Sequence, residues 1–168
     1  MINFALFGAG RIGILHAKNI FDNQKTNLSY IYDINNESSN KVKNLYGCKI
    51  AKNINEILND KNIKAVLIAS PTPTHINLIL KSAKKNKAIF CEKPIDLDIN
   101  KINKCEKELL KYKVPFQIGF NRRFDKSHLS TIQKYKEGKI GKLEKIIITS
   151  RDPAPPPLNY LKNSGGIF

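Results

Sequence analysis

The sequence predicts an α/β fold, a doubly wound parallel sheet with helices on both faces. Three observations predict it. Short apolar runs alternate with stretches of helical periodicity through the first 120 residues. The runs are apolar throughout, without the polar alternation of a sheet that has one wet face. The first run also ends in "FGAGRIG", where Gly8, Gly10 and Gly13 have the G-x-G-x-x-G spacing between a strand and a helix.

Ile2 to Phe7 is the first strand, and Ile12, Ile14, Leu15, Ala17 and Ile20 continue at helical spacing up to Asn23. Leu28 to Tyr32 is a second strand, followed by a helix from Glu37 to Tyr46 that Gly47 is placed to stop. A short helix over 53–59 precedes a wholly apolar strand over 65–69, then a helix over 74–85 and a strand over 88–91. A helix over 98–111 and a strand over 116–119 complete the alternation, which needs right-handed crossovers between parallel neighbours. After Phe120 the rhythm changes to a helix from about Asp125 to Tyr135, a turn over 138–141 and a long strand-like run, Leu143 to Ser150. The following "RDPAPPPLNYLKNSGG" is rich in proline and reads as a loop. Residues 1–120 are thus one domain, and residues 121–168 are the first helix and strand of an incomplete α+β domain.

Composition narrows the partners. The chain is 41% hydrophobic and 26% charged, and no apolar stretch approaches the roughly 20 residues of a membrane span, so no membrane partner is expected. The start, "MINFALFGAGRIG", lacks a basic leader and a cleavage site and reads as mature protein. Cys48, Cys91 and Cys105 are odd in number, scattered and without a Cys-x-x-Cys pair, which points to a reducing cytoplasm and to neither a disulfide framework nor a zinc site. The formal charge of +15 invites a nucleic-acid reading. However, the 25 Lys stand beside only 4 Arg, with 24 Ile and 19 Asn, residue types whose codons are rich in A and T. The lysines are spread over nearly every helix and form no stripe with interleaved aromatics, so no nucleic-acid partner is expected.

The glycine loop sits in the context that gives it meaning, with Asp33 following 20 residues after Gly13 at the end of the second strand. This is the dinucleotide pattern of a Rossmann-type fold. Gly8 permits a tight turn, Gly10 lets backbone approach a diphosphate, and Gly13 lets the helix pack closely, so Gly8, Gly10, Arg11, Ile12 and Gly13 are the candidate cofactor loop. Asp33 would accept from an adenosine ribose and repel a 2′-phosphate, which favours NAD over NADP. "IASPTPTH" leaves the apolar strand over 65–69 and adds Ser70, Thr72 and Thr74 at the carboxyl edge of the sheet. His75 is either a cofactor-loop residue or a first-turn surface residue after a Thr74 cap. With no second histidine at metal spacing, and His16 and His128 standing alone, no metal is expected. "FCEKP" ends the strand over 88–91 at the same edge: Glu92 can orient Lys93, and Lys93, in a drying crevice beside a nicotinamide, can hydrogen-bond a substrate hydroxyl and help move its proton. The bland alternative for Glu92 and Lys93 is a surface ion pair.

"ALFGAGRIG", "IASPTPTH", "FCEKP", "QIGFNRRFD" and "ITSRDPAPPP", in this order and spacing, resemble the glucose-fructose oxidoreductase / inositol dehydrogenase / MocA-like family over the whole chain, and within it the inositol 2-dehydrogenases. The resemblance implies an NAD-dependent dehydrogenase for a ring hydroxyl of a polyol or sugar. It implies Lys93 as the catalytic residue, Ser70, Thr72, His75 and Glu92 in the cofactor site, and Arg122 near cofactor and substrate. Arg123 is less defined, and the arginine pair has a salt bridge to Asp125 as its alternative. Complete family members, which are homo-oligomers, continue into a large open sheet and carry an aspartate and a histidine shortly after the position of "SGGIF". Their lack here implies a truncated product, a sequencing fragment or one half of a split protein, in which NAD binding survives and turnover does not.

Overall fold

A computed structural model of the chain describes residues 1–151 together with Ala154, Pro155 and Leu158. The chain divides into two units, Met1–Gly119 and Phe120–Phe168, one residue before the boundary expected from the sequence.

The first unit is a six-stranded parallel sheet in the order β3-β2-β1-β4-β5-β6. Its strands are β1 (Ile2–Phe7), β2 (Thr26–Tyr32), β3 (Lys49–Ile50), β4 (Ala65–Ile68), β5 (Ala88–Cys91) and β6 (Phe116–Ile118). The helices between them are α1 (Arg11–Asp22), α2 (Asn36–Tyr46), α3 (Ile54–Asn59), α4 (His75–Lys84) and α5 (Ile99–Leu109). The strand order reverses between β1 and β4, and at such a point the two connecting loops diverge to leave a crevice at the carboxyl ends.

Alternation along the strands splits the core in two. Ala5, Phe7, Val66, Ile68, Ile89 and Cys91 face Ile57, Leu78, Ile79, Ala83 and Cys105. Leu6, Leu28, Ile31 and Leu67 pack on the other side with Ala17, Ile20 and Val42. Helices α1 and α2 therefore cover β1 and β2, while α4 and α5 lie on the opposite face, with α4 against β4 and β5. On the α1 side, the surface over β4 to β6 is an open apolar groove of about 520 Å³ lined by Phe4, Ile20, Leu67, Phe90 and Phe116. No helix among the described residues is long and apolar enough to cross a membrane.

The helix ends follow local chemistry. Asn35 and Asn53 accept from the backbone N–H groups of Ser38 and Glu56, and the Glu56 carboxylate accepts from the Lys52 N–H, one residue ahead of the Asn53 cap. Gly47 ends α2 in the left-handed region at φ 72°, its N–H returned to the Lys43 carbonyl. The sequence reading missed β3, since two residues paired with Tyr30 and Ile31 leave no periodic trace.

The second unit contains a 3-10 turn (Asn121–Phe124) and α6 (Lys126–Lys136), capped by Asp125. The strand anticipated over Leu143 to Ser150 is a correction: none of these residues is in a strand. A strand is defined by its ladder, and this run pairs with no backbone among the described residues, so β-propensity alone does not form one. Ile146, Ile147 and Ile148 are exposed. The proline-rich loop anticipated after Ser150 lies mostly outside the described residues.

Candidate functional site

The glycine loop joins β1 to α1 at the strand-order reversal. Gly8 has φ +99°, and a Cβ there would lie 2.5 Å from the Ser70 N and 2.6 Å from the Ala69 carbonyl, so its absence lets the first loop lie against the loop leaving β4. A Cβ on Gly13 would stand 2.0 Å from the Gly8 carbonyl oxygen. The close packing that Gly13 permits is thus between α1 and its own entry turn, where the sequence pattern had suggested helix against sheet. Gly10 has open space where its Cβ would be, room for a ligand to approach backbone. No side chain caps α1, and its first intrahelical bond runs from the Ile14 N–H to the Gly10 carbonyl. The N–H groups of Arg11, Ile12 and Gly13 are therefore free to meet an anion.

Asp33 follows β2 and stands beside this loop. Its Oδ2 accepts from the Ala9 N–H at 2.6 Å and its Oδ1 from the Asn35 N–H at 2.8 Å. Two backbone donors keep the carboxylate at the edge of the crevice, and each oxygen retains lone-pair capacity for a ribose hydroxyl. A glycine cradle, a free helix N-terminus and a fixed carboxylate together fit the adenosine and diphosphate of NAD.

The loop after β4 is held by its own side chains. The Ser70 and Thr74 hydroxyls pair at 2.6 Å, and Thr74 donates to the Pro71 carbonyl at 2.7 Å, so Thr74 does not cap α4 through its side chain as one reading of the sequence had it. Thr72 lies half-buried in the 3-10 turn Thr72–Thr74. His75 is the clearest correction to a surface reading: only 2% exposed, it places Nδ1 2.8 Å from the Pro94 carbonyl and Nε2 2.7 Å from the Ser70 carbonyl. Both ring nitrogens are occupied by backbone, so His75 ties the β4 loop to the β5 loop and has no nitrogen left to face a ligand.

Glu92 and Lys93 leave β5 at the same edge, and the Lys93–Pro94 peptide bond is cis. The Glu92 N–H still donates to the Ile68 carbonyl at 2.8 Å, which holds the residue in the ladder. Its carboxylate does not reach the Lys93 ammonium as anticipated. One oxygen lies 2.7 Å from His16 Nε2 and the other accepts from the Lys93 backbone N–H at 3.2 Å. Lys93 itself is exposed. His16, which the sequence left alone, is thus part of this corner of the sheet. Its signal was legible only as one helical turn beyond Gly13, the position facing back toward the sheet.

Arg122 and Arg123 belong to the second unit, in the 3-10 turn Asn121–Phe124. Asp125, the alternative partner for this pair, accepts instead from the His128 N–H at 3.0 Å and the His128 ring Nδ1 at 2.7 Å, and these hydrogen bonds hold its carboxyl below the usual range. Among the described residues no group of three or more His, Cys, Asp or Glu is placed to hold a metal ion.

Comparison with known proteins gives a consistent picture. The chain is 42% identical over 167 residues to an inositol 2-dehydrogenase of Rhizobium meliloti (strain 1021), covering 99% of this chain and 50% of that one. It is 39% identical to a myo-inositol 2-dehydrogenase of Thermotoga maritima, again covering 99% and 50%. Among solved structures, a myo-inositol dehydrogenase from Corynebacterium glutamicum superposes with a TM-score of 0.92 at 38% identity, over 99% of this chain and 50% of that chain. A scyllo-inositol dehydrogenase from Lactobacillus casei with bound NAD(H) and scyllo-inositol gives 0.79 at 31% identity, over 84% and 42%. The chain spans about half the length of the curated relatives it matches. Residues 2–120 match the family described as oxidoreductase family, NAD-binding Rossmann fold, and with more than half of its length so matched the chain belongs to the GFO_IDH_MocA oxidoreductase family.

Proposed function

We propose that this chain is the cofactor-binding half of an NAD-dependent dehydrogenase that oxidises a ring hydroxyl of a polyol, myo-inositol before others. The observation that carries the reading is the convergence of the glycine cradle, Asp33 and the Lys93 turn at one carboxyl edge. The inositol dehydrogenases among the relatives supply the substrate class. The three free cysteines fit a reducing cytoplasm.

Gly8, Gly10 and the free N–H groups of Arg11, Ile12 and Gly13 would hold the diphosphate, with Asp33 on the adenosine ribose and the Ser70 and Thr72 loop along the nicotinamide half. NAD, when bound, supplies the hydride acceptor. The Lys93 ammonium donates a hydrogen bond to the reacting hydroxyl oxygen and stabilises the negative charge that grows there as its proton leaves for a base. Arg122 is the second candidate for a substrate contact. A catalytically silent nucleotide-binding chain is the alternative, and inositol turnover separates the two.

Calorimetry on the chain tests the cofactor assignment: NAD binds more tightly than NADP, and Asp33→Ala narrows the difference. Equal or tighter NADP binding overturns it. For turnover, NADH absorbance is followed with myo-inositol and NAD, using the chain joined to the second half of the Thermotoga relative. Turnover that falls about 10²-fold or more in Lys93→Met, with NAD affinity held, supports the reading. Near-normal kcat in that variant removes Lys93 from the chemistry.

A further inference from the structure

We propose that His16 is a positioning residue which, through Glu92, ties the glycine-loop helix α1 to the turn that presents Lys93. The inference rests on the cofactor reading above and assigns Glu92 to a partner within the protein, leaving the cofactor contacts to the glycine loop, Asp33 and the loop of Ser70 and Thr72.

The Glu92 carboxylate sits where three elements meet. His16 comes from the second turn of α1, one turn after Gly13, and its Nε2 lies 2.7 Å from Glu92 Oε1. The Phe90 ring meets the imidazole edge-on at a centroid distance of 5.3 Å, which fixes the ring plane from below. Gly119, just past β6, closes the third side: a Cβ there would lie 3.0 Å from Glu92 Oε1 and 3.2 Å from its Cδ. The space is thus shaped for a carboxylate. The two side chains are only 16% and 20% exposed, so the contact is screened less than a surface pair. Glu92 Oε2 meanwhile receives the Lys93 N–H. One carboxylate therefore holds α1 with one oxygen and the backbone of the lysine turn with the other.

Helix α1 packs closely on its entry turn, with no room for even a methyl group between Gly13 and the Gly8 carbonyl. Any movement of the glycine loop on taking up a diphosphate is therefore passed along a rigid helix to His16, and from there to the Lys93 turn. Loss of the imidazole would leave a half-buried carboxylate short of a partner and release the turn.

The experiment uses the full chain with His16→Ala, Glu92→Ala, both together, and His16→Gln, whose carboxamide can present an N–H near the position of Nε2. NAD affinity is measured by calorimetry below the melting transition of each variant, and exchange of the Lys93 backbone amide by NMR. Each alanine variant is expected to weaken NAD binding about tenfold, the double variant no more than either alone, as contacting residues behave. NAD slows exchange at the Lys93 amide in the unaltered chain and in His16→Gln, and fails to do so in His16→Ala even at saturation. Additive losses, or a Lys93 amide that responds to NAD equally without the imidazole, overturn the inference while leaving NAD binding intact. An unaltered chain that binds no NAD overturns the cofactor reading and the inference with it.

Discussion

Cys91 closes β5 with no exposed surface, its Sγ directed at the Glu92 carbonyl. Burial, then the neighbouring Glu92 carboxylate and Cys105, push its thiol from an ordinary value near 9 up to about 12. Burial raises the Cys48 and Cys105 thiols as well. Since the thiolate is the reactive form, the native chain should show almost no fast reaction with an aromatic disulfide reagent at pH 8, and three equivalents in denaturant. The sign of the pH effect follows from the same shift. The unfolded chain gives up the Cys91 proton near pH 9 while the folded chain keeps it, so this contribution is fully present below pH 9 and is lost as pH rises toward 12. Lys87 works against it: burial lowers its ammonium from 10.5, so its penalty at neutral pH fades as pH rises toward that value. Melting of the unaltered chain and of Cys91→Ala between pH 8 and 10.5 separates the two, the variant losing less stability with rising pH. A buried hydroxyl gives a simpler case. Ser82 Oγ on α4 is enclosed without a hydrogen-bond partner, so Ser82→Ala should raise stability by about 1 kcal/mol in a denaturant titration.

Helix α1 depends on Gly13 more than on its own propensity. An added methyl at 2.0 Å from the Gly8 carbonyl meets backbone, which cannot swing aside, so Gly13→Ala should lose about 3 kcal/mol or more and NAD binding with it. Circular dichroism melts and calorimetry check both. At this scale the sequence was most informative wherever one local rule decided the outcome. The α2 stop at Gly47 could be read because only a left-handed residue ends the helix there, and β4 because four buried positions in a row have no amphipathic alternative. The Leu143–Ser150 run could not be read in this way, since whether Ile146 to Ile148 form a strand depends on a neighbour that local composition does not reveal. His75 and His16 were opaque for the same reason. Their partners, the Ser70 and Pro94 carbonyls for one and Glu92 for the other, are set by how β4 and β5 align.

The whole chain carries +15 beside exposed apolar surface that includes Ile146, Ile147 and Ile148. Mutual repulsion keeps molecules apart only as far as the charge is felt, about 10 Å at 0.1 M salt. Sedimentation should therefore show self-association that grows between 50 mM and 500 mM salt, and Ile147→Lys should reduce it; association that weakens with salt would point to charge pairing instead. The open face over β4 to β6 has another consequence. Phe4, Leu67, Phe90 and Phe116 offer a flat aromatic dye such as anilinonaphthalene sulfonate a greasy seat on a well-ordered sheet, and the chain's net charge of +15 favours the approach of its sulfonate. Bright dye fluorescence is usually taken as the mark of a loosened core. Here the fully native chain should light up, and the signal should fall, not rise, as cooperative melting dismantles the groove.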